Sequence, residues 1–264
     1  MSDGTRAAEV FRKDSFYGKL KVVDYSYGNM HTRELTIDGL VQGGIDMNNK
    51  LSIYEYSYLM EFLPYGLNPK GETCLIIGLG AGIIPMWYEK MGIKVDVVDI
   101  DPHVVNMSKD YFGFKISGDV IISDARYYIY SSKKRYAYII MDVFNGDITP
   151  AYLLSFEVFH LLKQRMTENS ILAINLIGSV NYETLMTASV VKTMEKVFKT
   201  VEVYPAFSME GSDGSGNLVI IAYDSLPMLF DYEKVEDFSV HPFVSNSIRQ
   251  FIGRKFQFLS DTPA

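Results

Sequence analysis

The chain has 264 residues, 48% hydrophobic and 22% charged, a balance that supports a large buried core and excludes extended disorder. The net charge of −7 argues against non-specific binding to nucleic acid or an anionic membrane. Cys74 is the single cysteine, so no intrachain disulfide is possible.

Residues 1 to about 50 alternate with period two, the pattern of half-buried strands. Tyr17 to Tyr25 reads as a strand closed by Tyr27, Gly28 and Asn29. Thr32 to Ile37 reads as a second, and Leu40 to Gln42 starts a third. A small antiparallel sheet is expected, too marginal to stand alone. The pattern turns helical from Ser52 to Leu63, ending near Pro64 and Gly66.

Strands and helices then alternate. Cys74–Ile77 is a short apolar strand, Ile83–Met91 a helix and Val95–Val98 a strand. The next helix has Asp101 as cap, Pro102 at its first position and Gly113 at its end. Val120–Ile122 is a third strand, Ala125–Tyr130 a short helix, and Tyr138–Met141 a fourth strand. Thr149 and Pro150 open a helix to about Arg165. Ile171–Leu176 is a fifth strand, and Tyr182–Phe198 a helix. Thr200–Tyr204 and Leu218–Ala222 read as a hairpin around the loop Gly211–Gly216, with a short helix near Val244–Ile252. This order implies a Rossmann-like α/β sheet, mostly parallel, buried on both faces. The expected division is a β-strand domain over 1–50 and a nucleotide-binding domain over 51–264.

In an open parallel sheet, ligands bind beyond the carboxyl ends of the strands. After the first of these strands comes Gly78-Leu-Gly80-Ala-Gly82, a turn that brings backbone close to a ligand at a helix N-terminus. After the second comes Asp99, suited to accept both ribose hydroxyls, with Asp101 left to cap the helix. Asp124 follows the third strand and can accept from an adenine amino group, cap the next helix, or do both. Asp142 follows the fourth, and Asp147 lies five residues on. Three acids at three successive strand ends are a more specific signal than any one of them.

These residues together resemble the spermidine synthase family, which transfers an aminopropyl group from decarboxylated S-adenosylmethionine to an amine. The resemblance runs from about residue 15 to 205. It rests on Leu75–Gly82, Val97–Pro102, Ser123-Asp124-Ala125, Asp142, and the N-terminal pattern of Tyr27-Gly28, Asp38-Gly39 and Gln42. It implies a seven-stranded sheet with an antiparallel last hairpin. It also implies a dimer or higher homo-oligomer built through the N-terminal strands, and cofactor contacts from Gln42, Ile100 and Ala125. Three positions depart from the family pattern. Ala81 stands where the glycine loop carries an acid, Asn145 where the gate after the fourth strand does, and Tyr56-Ser57-Tyr58 where Tyr-Gln-Glu is usual.

Joining an amine to a sulfonium brings two cations together and requires a carboxylate to take the amine proton. Asp142 is the expected base, with Asp147, and with Glu55 and Tyr56 toward the amine. Methyl transfer from intact S-adenosylmethionine is the alternative that Ala81 favours, because a loop without an acid suits a carboxylate tail. A non-catalytic nucleotide-binding protein is the third. His31, His103, His160 and His241 are dispersed, so no metal is expected. No stretch approaches the ~20 apolar residues of a membrane span, and the N-terminus lacks a signal-peptide pattern. The expectation is a cytoplasmic enzyme acting on a small-molecule amine, with no nucleic-acid or membrane partner.

Overall fold

The alternating apolar strands produce a seven-stranded sheet in the order β10-β11-β9-β8-β5-β6-β7. The structure, a computed structural model, describes residues 4–144, 150–180, 185–207, 214–225, 230–231 and 240–241. Asn145, Asp147, Thr149, the first half of the Gly211–Gly216 loop and the expected helix at Val244–Ile252 lie outside the described residues.

Strands β5 (Thr73–Ile77), β6 (Lys94–Asp99) and β7 (Val120–Ile122) run parallel outward in one direction. Strand β8 (Tyr136–Met141) returns to the other side of β5, also parallel, and β9 (Met166–Ser179) follows it. β10 (Thr200–Pro205) and β11 (Ser215–Tyr223) complete the sheet as an antiparallel pair. The direction of winding reverses between β5 and β8, the position where such sheets open a crevice beyond their strand ends.

Successive side chains on β5 enter two different cores. Cys74 and Ile76 join one apolar cluster, Leu75 and Ile77 the other, and all four are buried. Helices α1 (Glu55–Leu67), α2 (Ile83–Lys90) and α3 (Pro102–Phe112) contribute to the first. Helices α4 (Ala125–Ser131), α5 (Phe156–Gln164) and α6 (Leu185–Glu195) contribute to the second.

Several boundaries differ from expectation for identifiable reasons. α1 continues through Pro64 to Leu67. Proline supplies no N–H to the carbonyl four residues earlier, and the Tyr88 hydroxyl donates to that Met60 carbonyl instead, at 2.9 Å. The helix expected from Pro150 begins at Phe156, after a 3-10 turn over Ala151–Leu153, and Ser155 caps it by accepting from the Val158 N–H. β9 has 14 residues, because its outer part pairs with β11 from Leu172 to Ser179. Lys134 Nζ lies 2.7 Å from the buried Asp96 and 2.7 Å from the exposed Asp119.

The N-terminal segment forms a four-stranded antiparallel sheet, β1 (Arg6–Ser15), β2 (Gly18–Tyr27), β3 (Met30–Ile37) and β4 (Leu40–Asp46). β1 was not expected: most of its residues are exposed, so its alternation carries no apolar signal. Polar links tie this sheet to the larger one. The Ser15 hydroxyl donates to Asp101 at 2.6 Å, and Arg33, paired with Asp24, donates to the Tyr111 carbonyl at 3.1 Å.

Candidate active site at the sheet switch point

The turn after β5 is built from glycines because nothing larger fits. Gly78 has φ +87°, and a Cβ there would lie 2.2 Å from the Asp142 carbonyl oxygen. Gly80 has φ +51°, and its Cβ would meet the Gln42 carbonyl oxygen at 2.6 Å. The first contact presses the turn against the end of β8; the second presses it against β4 of the N-terminal sheet. Gly82 completes the turn as the N-cap of α2. Ala81 is buried under Gly43. The side chain at position 81 is therefore covered by β4 instead of facing open solvent.

Asp99 ends β6. As expected, Asp101 caps α3, accepting from the His103 N–H at 2.8 Å. Asp99 is nevertheless not idle. Its two oxygens accept from the Leu79 and Asp101 N–H groups, each at 2.8 Å, tying the glycine turn to the β6 end. The Ile100 N–H also acts on the carboxylate, which with about four accepting sites keeps capacity for a hydroxyl donor. Burial pushes its pKa up to about 6, against the lowering effect of those N–H groups. Beside it Ile100 exposes an apolar side chain.

Asp124 caps α4, accepting from the Tyr127 N–H at 2.9 Å, while its other oxygen lies 3.5 Å from the Tyr152 hydroxyl. Ala125 follows as the first residue of α4, partly buried. Asp124 also borders an open groove of about 610 Å³ between α4 and α5, lined by Arg126, Tyr127, Tyr130, Phe156 and His160. None of the glycine-turn residues lines this groove.

Asp142 is the acid with the most specific surroundings. The parallel register sets Met141 beside Ile174, which brings Asp142 level with Asn175 of β9. Asn175 donates from Nδ2 to Asp142 Oδ1 at 2.9 Å and is fully buried. Tyr56 of α1 lies near the Asp142 carboxylate and acts on its charge. Burial pushes the Asp142 pKa up to about 6, although the Asn175 and Tyr56 donors both favour the ionised form. Burial and the Asp142 charge in turn hold the Tyr56 phenol neutral.

The expected residues thus fall into three groups. Gly78, Asp142 and Tyr56 form one cluster; Gly80, Gln42 and Asp99 converge on the same turn; Asp124 and Ala125 stand at the start of α4, with Asp124 on the groove between α4 and α5. Only the Gln42 backbone meets the turn, since its side-chain amide donates to the Leu40 carbonyl at 3.4 Å. Glu55 lies in the first turn of α1, and its charge acts on Tyr58. Asn175 and Asn217 escaped the sequence reading. Their signal is an amide inside otherwise apolar strands, Ala173-Ile-Asn175-Leu and Asn217-Leu-Val-Ile. Among the described residues no cluster of three or more His, Cys, Asp or Glu could hold a metal. No described helix is long and apolar enough to cross a membrane.

Known proteins resemble this chain in sequence or in fold. An N-terminal histidine N-methyltransferase of Emericella nidulans is 31% identical over 176 residues, 64% of this chain and 31% of that protein. A polyamine aminopropyltransferase of Vibrio vulnificus is 35% identical over 115 residues, 41% of this chain and 38% of that one. The chain therefore spans well under half the length of either relative. A probable spermidine synthase from Corynebacterium glutamicum has the same fold, with a TM-score of 0.70 at 18% identity, covering 83% of this chain and 81% of that one. The family model for the spermine/spermidine synthase domain matches residues 54–212, which include the glycine turn, Asp99, Asp124 and Asp142, and the chain belongs to that family.

Proposed function

We propose that this chain is a transferase that alkylates an amine nitrogen using an S-adenosyl-type co-substrate, with aminopropyl transfer from decarboxylated S-adenosylmethionine as its reaction. One observation carries this reading. Asp142, whose carboxyl pKa is pushed up to about 6, follows β8 with its backbone carbonyl packed against Gly78 of the glycine turn, at the point where the sheet reverses its winding. Membership of the spermine/spermidine synthase domain family supports it, as does the aminopropyltransferase relative.

The residues present fit such a nucleotide. The turn at Gly78 and Gly80 has no room for a Cβ, so its backbone is what a ligand meets. Asp99 retains accepting capacity for ribose hydroxyls, exposed Ile100 offers an apolar surface to a base, and Asp124 and Ala125 stand where the adenine edge is expected. When bound, the co-substrate supplies a carbon activated by its positive sulfur. The protein's part is to deliver an uncharged amine. Asp142 accepts the proton that the amine loses, and a pKa near 6 leaves it ionised yet able to hold a proton near neutral pH. Tyr56 keeps the carboxylate oriented, and Glu55 and Asp147 bind the acceptor's remaining positive charge. We assign residues 1–50 to a β-strand domain that covers the glycine turn and 51–264 to the nucleotide-binding domain.

Methyl transfer from intact S-adenosylmethionine is the second reading. It is favoured by the apolar, buried Ala81 in the turn and by the N-methyltransferase relative. Titration calorimetry with the decarboxylated and intact forms side by side separates the two. Tighter binding of the decarboxylated form supports aminopropyl transfer, tighter binding of the intact form supports methyl transfer, and binding of neither refutes the nucleotide site.

A further inference from the structure

The Asp142 carboxylate does not stand alone. Asn175 is fully buried on β9, a strand whose neighbouring side chains are almost all apolar. An amide in that setting is costly unless its donors and acceptor are engaged. Its Nδ2 donates to Asp142 Oδ1 at 2.9 Å, and its Oδ1 accepts from Asn217 Nδ2 at 3.0 Å. Asn217 lies on β11 opposite Ile177, so it is the diagonal neighbour of Asn175 on the same face of the sheet. The amide orientation follows from chemistry. An ionised carboxylate only accepts, so Asn175 must turn its NH₂ toward Asp142 and its carbonyl toward Asn217.

We propose that Asn175, held by Asn217, is the positioning residue of the Asp142 carboxylate, linking the antiparallel β11 strand to the acid at the switch point. The reading rests on the function proposed for Asp142. Three strands take part: β11 supplies Asn217, β9 supplies Asn175 and β8 ends in Asp142. The other group facing the carboxylate is Tyr56 from α1, itself near Tyr54, Glu61 and Asp142. A charge-assisted donor both orients a carboxylate and favours its ionised form. Removing the donor should therefore move the acid's titration upward while Tyr56 remains in place.

The test is a carbon NMR titration of the full chain labelled at aspartate carboxyls, with Asp142→Asn identifying the Asp142 signal. In Asn175→Leu the Asp142 midpoint is expected to rise by about one to two pH units, the equivalent of losing one hydrogen bond to a charged group. In Asn217→Ala, at a partly exposed position where water replaces the lost donor, the rise is smaller and in the same direction. Asn217→Ala keeps the test open if Asn175→Leu does not fold. An unchanged midpoint in the folded variants, even with lowered thermal stability, overturns the proposal. The NMR readout does not depend on turnover. If the midpoint moves as expected but Asp142→Asn turns over substrate normally, the proposed base fails while the positioning role of Asn175 stands. With both correct, the acid limb of the kcat profile moves with the NMR midpoint, and activity at pH 7 falls roughly tenfold and recovers at higher pH.

Discussion

Asp142→Asn should make the protein more stable and less active at once. The carboxyl pKa is raised from 3.8 to about 6 in the folded chain, chiefly by burial. At about 1.4 kcal/mol per unit, holding the charge in place costs about 3 kcal/mol at neutral pH. The side chain keeps partial contact with solvent, which reduces the expected gain to roughly 1–2 kcal/mol. Asparagine preserves the shape, its oxygen can still accept from Asn175, and its NH₂ can donate to the Tyr56 oxygen, so the substitution removes the charge without leaving the Asn175 donor orphaned. The sign follows from proton binding. Between about pH 4 and 6 the folded chain holds a proton that the unfolded chain has released, so the parent loses stability as pH rises through that window. The advantage of the asparagine variant should be absent below about pH 4, grow to about pH 6, and stay level above it. Thermal and urea unfolding across pH 3.5 to 8 measures this directly, with several degrees expected near neutral pH. Turnover should fall by roughly 10²–10⁴ if Asp142 is the base. Equal stability of the two proteins at pH 7.5 would refute the burial argument, and equal turnover would refute the catalytic one.

Gly78→Ala should abolish nucleotide binding or folding, since its Cβ would sit 2.2 Å from the Asp142 carbonyl and φ is +87°; calorimetry with S-adenosylmethionine, together with circular dichroism, distinguishes the two. Asp99→Ala frees the Leu79 and Asp101 N–H groups and removes the ribose acceptor, so affinity should fall at least ~10-fold. In the parent, affinity should also weaken as pH drops through about 6, where Asp99 takes up a proton, and a pH-independent affinity would count against ribose binding there. Lys134→Ala leaves Asp96 buried with one fewer partner. Burial raises the Asp96 pKa, but Lys134, the Asp119 N–H and Tyr136 together outweigh it and hold the carboxyl low. The stability this gives is present above about pH 4 and lost in acid. The variant should therefore lose about 1–2 kcal/mol at pH 7, less than a fully buried pair because the lysine is half exposed, and the gap should close as pH falls.

The order of strands and helices was legible because both cores depend on local pattern. β5 and β8 are largely apolar runs, β6 carries Val95, Val97 and Val98 around Asp96, and Asp101, Pro102 and Gly113 punctuate α3 by their own backbone preferences. The glycine turn and the acids at successive strand ends were equally legible, since a parallel sheet brings consecutive strand ends to one edge. Elements that depend on distant partners were not. β1 presents little apolar pattern, because it is an edge strand with most side chains in solvent. α1 passes through Pro64 only because Tyr88, 24 positions later in the chain, supplies the missing donor.

The same division holds at the site. Sequence alone determined that Gly78, Asp99, Asp124 and Asp142 lie at the ends of successive strands, since each stands within two residues of a local apolar run. Tertiary structure decided what surrounds them: Gln42 of β4 above Gly80, Tyr56 of α1 and Asn175 of β9 on the Asp142 carboxylate, and Asn217 of β11 behind Asn175. Those contacts join residues 33 to 86 positions apart. They are set by strand register and by which side of β5 receives β8, and no local preference of the chain records either.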